Sequence, residues 1–354
     1  MEASRPIAEI LLAWYRSHAR ELPWRMPPGS GEAQVQDKDW PYRVWLSEVM
    51  LQQTTVAAVK PYFEAFAARW PGVEALAAAD EADVMAAWAG LGYYSRARNL
   101  VKCAREVAAR GGFPDTEAEL RELPGLGAYT AAAVAAIAFD RRAVVVDANV
   151  ERVVARLFAI AEPLPGGKAA IRAKADAITP ESEAGHFAQA MMDLGATICT
   201  ARDPKCLLCP LEALCQGRAS GDPARFPVKA AKKARPEREG TAYWIERPGE
   251  AGAHVWLVRR PARGMLGGMR ALPDDGWTAR SDGSGVPPLA GEWRRAGAVR
   301  HSFTHFHLTL SLSAIEASQV PDEGEWWPVE RLDEAGLPTV FAKAARLKPG
   351  GPLR

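Results

Sequence analysis

The sequence predicts a two-domain protein, in which an all-helical region precedes a smaller α+β domain. At 354 residues the chain is long enough for two domains that each bury a core. From residue 7 to about residue 219, apolar residues recur three and four positions apart, as in VWLSEVMLQQTTVAAV and TAAAVAAIAF, which indicates helices. Later, TAYWIERPGEAGAHVWLVRR and HFHLTLSLSAI alternate apolar and polar residues, which indicates strands. We therefore assign residues 1–225 to the helical region and residues 241–354 to the α+β domain.

Two polar segments interrupt these patterns. Residues 226–240, FPVKAAKKARPEREG, are rich in Pro and charge without an apolar period, which is typical of a linker. A replication or mismatch-repair protein is a candidate partner for this linker. Residues 27–39, PPGSGEAQVQDKD, predict a mobile surface loop near the N-terminus.

The composition is typical of a soluble globular protein. Hydrophobic residues make up 48% and charged residues 25% of the chain, and no apolar run is long enough to cross a bilayer. The first residues lack the layout of a secretory signal, so we expect a cytoplasmic protein. Because 44 basic side chains nearly balance 43 acidic ones, a nucleic-acid partner requires a local concentration of basic residues.

Four of the five cysteines lie within one polar stretch, CTARDPKCLLCPLEALC. They are Cys199, Cys206, Cys209 and Cys215. A disulfide framework is a poor explanation in a large protein of a reducing compartment. Structural zinc sites more often use two close pairs of ligands, and only one close pair exists here. Four thiolates in one compact loop favour an iron–sulfur cluster, with zinc as the alternative.

A glycine-containing turn in LPGLGAYTAAAVAAIAF joins two helix-forming segments. Gly125 and Gly127 permit a tight turn that leaves N–H groups pointing outward at a helix start. This geometry suits one backbone phosphate of a nucleic acid. The alternative is a plain helix connector.

Two carboxylates are candidates for catalysis. Asp147, in VVVDANVERVVARL, precedes an amphipathic helix and is well placed as its N-cap, which does not exclude a functional role. Glu48, in VWLSEVMLQQT, lies within a helix beside large apolar residues. It is either a surface charge or salt-bridge partner, or a carboxyl group whose raised pKa suits a general acid near neutral pH.

Together these stretches resemble the helix-hairpin-helix base-excision glycosylases, and among them the adenine-specific, MutY-type branch. The similarity extends over nearly the whole chain and includes LPGLGAYTAA, the cysteine loop, WLSEVMLQQT, GLGYYSRARNL and RHSFTHFHL. It implies a two-lobed helical catalytic region, a [4Fe–4S] cluster on the four cysteines and a Nudix-like second domain. It also implies a monomeric, nucleoid-associated bacterial enzyme that removes adenine mispaired with 8-oxoguanine or guanine in duplex DNA, after flipping the base out.

The resemblance assigns roles to individual residues. Glu48 protonates adenine at N7, and Asp147 stabilises the cationic sugar, as in two-carboxylate glycosidases. Tyr129 and Asn149 match positions that flank this pair. The candidate DNA-contacting residues, which line the pocket, bind a phosphate or enter the base stack, are Arg25, Gln52, Tyr93, Gly125 and Gly127.

Two departures from the superfamily pattern limit the expected chemistry. Glycosylases that also cut the backbone carry a Lys in the hairpin, where Ala128 and Tyr129 stand here. Some adenine glycosylases carry a Lys four residues after the catalytic Asp, where Glu151 stands here. Without such an amine, Schiff-base chemistry has no obvious nucleophile, so we expect a monofunctional glycosylase without strong lyase activity.

The second domain lacks the residues of a Nudix hydrolase. RPARGMLGGMRALPDDGW keeps a Gly pair but not the metal-binding carboxylates, so nucleotide hydrolysis is not expected. By the resemblance, Phe303, Thr304 and His305 recognise the oxidised guanine, and Thr304 keeps the hydroxyl of the Ser common in the family. Without the resemblance, HSFTHFHLTLSL is equally well an edge strand with His on its polar face.

Three other functions are compatible with parts of the sequence. An endonuclease III-like glycosylase for oxidised pyrimidines is disfavoured by the missing hairpin Lys and by the extra domain. A non-catalytic iron–sulfur protein that binds DNA would leave Glu48 as a surface charge and Asp147 as a cap. A Nudix-type hydrolase with a helical partner domain is disfavoured by the missing carboxylates.

Overall fold

The computed structural model describes residues 4–29, 37–93, 95–230, 234–249, 252–261, 265–317, 319–320 and 323–348. The chain divides into two compact units, Met1–Ala231 and Lys232–Arg354. Most of the loop predicted for residues 27–39 lies outside the described residues. Among the described helices, none has both the length and the apolar character that a membrane crossing requires.

The first unit is helical. Its principal helices are α1 (Ser4–His18), α2 (Trp40–Met50), α3 (Val56–Arg69), α4 (Val73–Ala77), α5 (Glu81–Ala87), α6 (Ser95–Arg110), α7 (Glu117–Leu120), α8 (Ala128–Phe139), α9 (Ala148–Leu157), α10 (Lys168–Ile178) and α11 (Ala184–Thr197). The cysteine loop follows with short 3-10 turns at Cys206–Leu208 and Glu212–Leu214, a short helix α12 (Gln216–Ala219) and a 3-10 turn at Pro223–Arg225.

Helix α8 forms the centre of this unit. Its sequence is apolar on every face, and residues 130–137 are all buried, because α2 and α11 pack against it. The neighbouring helices also approach each other closely. A Cβ atom at Gly195 of α11 would lie 2.6 Å from the Cβ of Asn149 in α9, so glycine is required at this contact. The packing brings the first residues of α8 and α9 beside α2.

The second unit is built on a mixed sheet with strands β1 (Glu237–Arg247), β2 (His254–Arg259), β3 (Arg270–Ala271), β4 (Arg294–Ser302), β5 (His307–Glu316) and β6 (Glu325–Pro328). The strand order is β3-β2-β1-β5-β4, and β6 pairs with β2. Strands β1 and β5 run parallel, in register from Glu237 opposite His307, whereas β4 and β5 form an antiparallel hairpin. Helix α13 (Thr339–Ala345) packs on the sheet over a core that includes Trp244, Trp277 and Phe306.

The predicted fold class, a helical region followed by an α+β domain, is confirmed. The segment predicted as a linker, residues 226–240, is structured at both ends. Phe226 is buried in the helical core, and residues 237–240 belong to β1. The pattern of alternating residues is weak there because the first three residues of β1 are exposed or half-buried.

Candidate active site

A cleft of about 990 Å³ opens in the helical unit. Its walls come from residues 20–25, the C-terminal half of α2 and the loop after it, the glycine turn before α8, the start of α9, and α11. It brings together most of the residues that the sequence analysis selected in this unit, namely Arg25, Glu48, Gln52, Gly125, Gly127, Tyr129, Asp147 and Asn149. Tyr93 is not among the described residues that line the cleft and lies 59% exposed in the turn before α6.

Glu48 is a buried carboxyl group within this cleft. Its side chain extends from α2 and is 6% exposed, so the alternative of a surface charge does not hold. Burial raises the pKa of Glu48 to about 7, and the nearby charge of Asp147 adds to the increase. A hydrogen bond from Tyr129 and the charge of Arg25 oppose this increase in pKa. A carboxyl group with this pKa is partly protonated at neutral pH and can donate a proton.

Tyr129 is the hydrogen-bond partner of Glu48. Its hydroxyl group donates to Glu48 Oε2 at 2.7 Å from the first turn of α8. Burial, together with the charges of Glu48 and Asp147, raises the pKa of Tyr129 well above its ordinary value. The hydroxyl group therefore stays protonated and holds one oxygen of Glu48 in place.

Asp147 caps helix α9, as its position in the sequence predicts. Its Oδ1 accepts a hydrogen bond of 2.7 Å from the backbone N–H of Val150. Its Oδ2 accepts a hydrogen bond of 2.8 Å from the side-chain amide of Asn149. Both bonds orient the carboxylate at the positive end of the helix dipole, while the half-exposed side chain lines the cleft. The capping role and a catalytic role are therefore compatible.

Arg152, which the sequence analysis did not select, links Asn149 to the cysteine loop. Its Nη2 donates to Asn149 Oδ1 at 2.9 Å and to the carbonyl of Gly195 at 2.7 Å. Its Nε donates to the carbonyl of Cys199 at 2.7 Å. One guanidinium group thus fixes the amide beside Asp147 against the start of the cysteine loop.

Gln189 and Asp193 also line or support the cleft and were not selected from the sequence. Asp193 is fully buried and accepts hydrogen bonds from Arg20 Nε at 2.6 Å and Arg25 Nη1 at 2.7 Å. Gln189 is 5% exposed, and its buried Oε1 has no hydrogen-bond partner among the described residues. The available signal was two polar residues four positions apart on the apolar helix α11.

The glycine turn and the loop after α2 form one edge of the cleft. Gly125 has φ of +82°, and a Cβ atom there would meet Asn99 Cβ at 2.8 Å. Gly127 is the extended N-cap residue of α8, and among the described residues no atom beyond its two chain neighbours lies within 4 Å of a Cβ built there. Gln52 donates to Thr130 Oγ1 at 3.1 Å, which ties the loop to α8. The start of α8 therefore presents N–H groups beside open space.

The four cysteines of the loop line one small cavity of about 30 Å³. None of the four forms a disulfide in the structure, and burial raises the pKa of the Cys209 thiol to about 11. In the described part of the chain, no three His, Cys, Asp or Glu side chains are placed to hold a single metal ion. Arg156, 2% exposed, donates to Cys199 Sγ at 3.3 Å and to the carbonyl of Thr200 at 2.7 Å. Four thiols around one cavity beside a buried cation fit an anionic, thiolate-bound metal group such as an iron–sulfur cluster.

In the second unit, Phe303, Thr304 and His305 lie in the turn between β4 and β5. Thr304 and His305 are exposed, whereas Phe303 stacks on Phe306 with ring centroids 4.7 Å apart. Trp277 packs against both phenylalanines. The turn therefore presents a hydroxyl group and an imidazole on a rigid aromatic base.

Comparisons with known proteins agree with this architecture. Residues 46–176 match the HhH-GPD superfamily base excision DNA repair protein model, and residues 242–347 match the NUDIX domain model. The chain is similar to the adenine DNA glycosylase of Homo sapiens, with 33% identity over 98% of this chain and 76% of that protein. It is 34% identical to the adenine DNA glycosylase of Buchnera aphidicola subsp. Schizaphis graminum (strain Sg), over 95% of this chain and 96% of that protein. The fold is also similar to the solved structure of a thermostable thymine-DNA glycosylase. The match covers 61% of this chain and 96% of that one, with 28% identity and a TM-score of 0.51.

The helix-hairpin-helix turn and the cleft with two carboxylates define a DNA N-glycosylase of base excision repair. Members of this endonuclease III-like superfamily generally carry an iron–sulfur cluster. Within the superfamily, the chain belongs to the adenine DNA glycosylases, which remove adenine from DNA.

Proposed function

We propose that the enzyme hydrolyses the N-glycosidic bond of adenine paired with 8-oxoguanine or guanine and leaves an abasic site without cutting the backbone. The observation that carries this proposal is the buried Glu48, whose pKa of about 7 suits a proton donor, in one cleft with Asp147. A duplex base is inaccessible to these groups, so the adenine has to leave the stack and enter the cleft. The proposal takes Gln52 and Tyr93 as the side chains that occupy the stack when it does.

The two carboxyl groups divide the chemistry between them. Tyr129 occupies Oε2 of Glu48, which leaves Oε1 to carry the proton that passes to adenine N7. The C1′–N9 bond then breaks, and its electron pair leaves with the protonated base. The carboxylate of Asp147 stabilises the positive charge on the sugar until water adds at C1′ and loses a proton, as in glycosidases.

The residues around the cleft support hydrolysis rather than lyase chemistry. None of the described residues that line it is a lysine, and Ala128 and Tyr129 stand in the hairpin segment where a lyase carries its amine. Glu151 stands four residues after Asp147. A Schiff base to the sugar therefore lacks a nucleophile in the described cleft.

Recognition of the two bases uses different units of the chain. In the cleft, the side-chain amide of Gln189 is the proposed partner of the exocyclic amino group of adenine, because Gln189 is one of the lining residues. Asp193 holds Arg25, which faces the same cavity. In the second unit, Thr304 and His305 are exposed and supply hydrogen-bonding groups for the oxidised guanine, with Phe303 beside them.

Cys199, Cys206, Cys209 and Cys215 would hold a [4Fe–4S] cluster, for which the cavity that they share with Arg156 is the supporting observation. The cluster would supply a structural cross-link of the loop, and every step above is assigned to protein side chains. Action on bacterial DNA implies association with the nucleoid. A monomeric state and docking of a replication or mismatch-repair protein on the connector stay predictions.

The test is to compare duplexes that carry adenine opposite 8-oxoguanine, adenine opposite thymine, or thymine glycol. Strand breaks are measured with and without hot alkali. We expect alkali-dependent breaks at adenine opposite 8-oxoguanine only. Breaks without alkali would contradict the monofunctional assignment, and breaks at thymine glycol would favour the endonuclease III-like alternative.

A further inference from the structure

Arg96, in the first turn of α6, connects two loops at the edge of the cleft. Its Nη1 donates to the backbone carbonyls of Val49, Met50 and Gln52 at 3.0, 3.1 and 2.7 Å. Its Nη2 donates to the carbonyls of Leu91 and Gly92 at 3.1 and 3.4 Å, and to Thr54 Oγ1 at 3.4 Å. One guanidinium group therefore holds residues 49–54 and residues 91–92 together.

The first of these segments is the end of the helix that carries Glu48. The last carbonyl groups of a helix have no partner within the helix and carry partial negative charge. Arg96 supplies both hydrogen bonds and a positive charge to those of Val49 and Met50. Because Glu48 directly precedes Val49, Arg96 also anchors the turn of α2 from which the proposed acid extends.

The second segment is the turn that presents Tyr93. Tyr93 has φ of +50° and Gln53, in the first segment, has φ of +57°. Residues other than glycine persist in this region only where their surroundings hold them. The Arg96 guanidinium carbon lies 5.4 Å from the centroid of the Tyr93 ring and 5.3 Å from that of Trp88. Its backbone N–H also donates to the Tyr93 carbonyl at 2.8 Å.

The geometry depends on the shape of the arginine side chain. A guanidinium group is a planar fork with two terminal nitrogens, and here one nitrogen is directed mainly at each segment. A lysine ammonium keeps the charge but offers three donors from a single point. It cannot serve six acceptors on two separate segments at once.

We infer that Arg96 is a positioning residue for two segments, the turn at residues 91–93 that presents Tyr93 and the segment at residues 49–54 that carries Gln52. It joins them into one rigid unit, the wedge, which is anchored on the end of α2. This inference rests on the proposed function, in which Gln52 and Tyr93 enter the base stack as adenine leaves it. A loosely held wedge would not compensate for the lost stacking of the flipped base. The contacts of Arg96 therefore couple entry into the stack to the helix that presents Glu48.

The test uses the full-length chain with Arg96→Lys, Arg96→Gln and the control Arg98→Gln. Arg98 is exposed on the same helix, so its substitution removes an equal charge and leaves the contacts of Arg96 with both segments intact. Each change is combined with Glu48→Gln, and binding is measured to a duplex with 2-aminopurine opposite 8-oxoguanine. The fluorescence of 2-aminopurine rises when it leaves the stack. Saturating protein removes any effect of altered affinity.

We expect Arg96→Lys to lower the equilibrium constant for flipping roughly tenfold, and Arg98→Gln to leave it unchanged. With Glu48 restored, the single-turnover rate of adenine release should fall by a similar factor. The alkaline pH midpoint of that rate should not move, because the groups that set the pKa of Glu48 are Tyr129, Asp147 and Arg25, and Arg96 is not one of them. Circular dichroism establishes that each variant is folded, and Arg96→Lys decides the question if Arg96→Gln does not fold.

An unchanged flipping constant in folded Arg96→Lys would overturn the inference. So would a loss of rate that comes with a shifted pH midpoint and unchanged flipping, which would indicate an effect on Glu48 alone. Tyr93→Ala distinguishes failure of the inference about Arg96 from failure of the proposed role of Tyr93 in the base stack. If Tyr93→Ala lowers flipping and Arg96→Lys does not, only the inference is wrong; if neither does, the wedge role of Tyr93 is wrong as well.

Discussion

At the scale of single residues, catalysis depends on how the protein sets the proton affinity of Glu48. Burial favours the neutral carboxyl group, and the negative charge of Asp147 acts in the same direction. The Tyr129 hydroxyl and Arg25 favour the ionised form. These opposing effects leave a pKa of about 7, so the acid is available near neutral pH.

Glu48→Gln tests the proton donor directly. We expect a loss of about 10²- to 10⁴-fold in the single-turnover rate of adenine release, because the amide cannot protonate N7. In the unchanged protein the rate should fall as pH rises through about 7, where the donor loses its proton. A variant with unchanged rate would remove Glu48 from the mechanism.

The stability of the same variant is a control on the burial of Glu48. The carboxyl group ionises at its ordinary value of 4.5 when unfolded and at about 7 when folded. Between these values the folded state binds more protons, so the free energy of unfolding decreases as pH rises and the loss is complete above about 7. The free energy of unfolding of Glu48→Gln minus that of the unchanged protein should therefore be larger at pH 8 than at pH 4.5. Urea unfolding at both pH values measures this difference. An equal difference at both pH values would contradict a raised pKa.

Tyr129→Phe should change the pH dependence rather than abolish activity. The lost hydrogen bond stabilises the ionised form of Glu48, so its removal raises the pKa of Glu48 further. The alkaline limb of the rate should move to higher pH, with a rate at pH 6 within about tenfold of the original. A shift to lower pH in the single-turnover profile would show that the Tyr129 contact has another role.

At the scale of elements, the two glycines of the turn before α8 differ in purpose. Gly125 is needed for folding, whereas Gly127 is proposed to leave room for DNA. Gly125 needs its positive φ and the absence of a Cβ beside Asn99. Gly127 has ordinary extended backbone and open space around its Cα. The two glycines therefore make different demands within three residues of chain.

This pair provides matched substitutions. Gly125→Ala should reduce the free energy of unfolding by about 1–3 kcal/mol, because alanine is strained at positive φ and meets Asn99. Gly127→Ala should leave stability within about 0.5 kcal/mol of the original and instead weaken DNA binding, since its methyl group stands where a phosphate would approach. Denaturant titration and duplex affinity measure the two effects. Unchanged affinity in Gly127→Ala would leave the turn as a plain helix connector.

The cysteine loop depends on the buried guanidinium of Arg156. It donates to the carbonyls of Cys199, Thr200, Ala201 and Phe226 and to Cys199 Sγ. Arg156→Met should lower the free energy of unfolding by about 2–4 kcal/mol and reduce the iron content, since carbonyl groups and thiolates lose their cation. Exposed Arg202→Met in the same loop is the control.

Metal analysis provides the measurement for this loop. We expect four iron and four sulfide per chain in protein purified without oxygen. Zinc in place of iron in a fully active protein would contradict the cluster assignment. Retention of iron by Arg156→Met would show that the guanidinium is not needed to balance the cluster.

At the scale of the whole molecule, the two units carry separate parts of the proposed recognition. The helical unit contains the cleft, and the second unit carries Thr304 and His305 on the β4–β5 turn. The boundary at residues 231–232 gives the position for a truncation that keeps Phe226 in the core of the first unit.

A chain ending at residue 231 should still release adenine opposite guanine. Its preference for 8-oxoguanine over guanine, measured as the ratio of single-turnover rates, should fall toward one, because the groups proposed to read the oxidised base are gone. Thr304→Val in the full chain is the matched control for the hydroxyl group. Equal selectivity after truncation would place the recognition of 8-oxoguanine in the helical unit.

Much of this organisation could be read from local sequence patterns. The period of apolar residues predicted helices followed by strands, and the spacing of Gly125, Gly127 and Asp147 indicated the hairpin and the start of α9. At residues 226–240, the predicted linker, the polar composition concealed a buried Phe226 and the exposed end of β1. The roles of the individual site residues stay predictions until the substitutions above are made.

The sequence by itself determined the two units, the family and the candidate carboxylates, because periodicity and short motifs are properties of neighbouring residues. Only the tertiary structure decided that Glu48 is buried with a hydroxyl 81 positions away, that Gln189 lines the same cleft, and that Arg96, Arg152 and Asp193 join separate segments around it. The physical reason is that desolvation and hydrogen bonding depend on the distance through space, which local patterns do not contain.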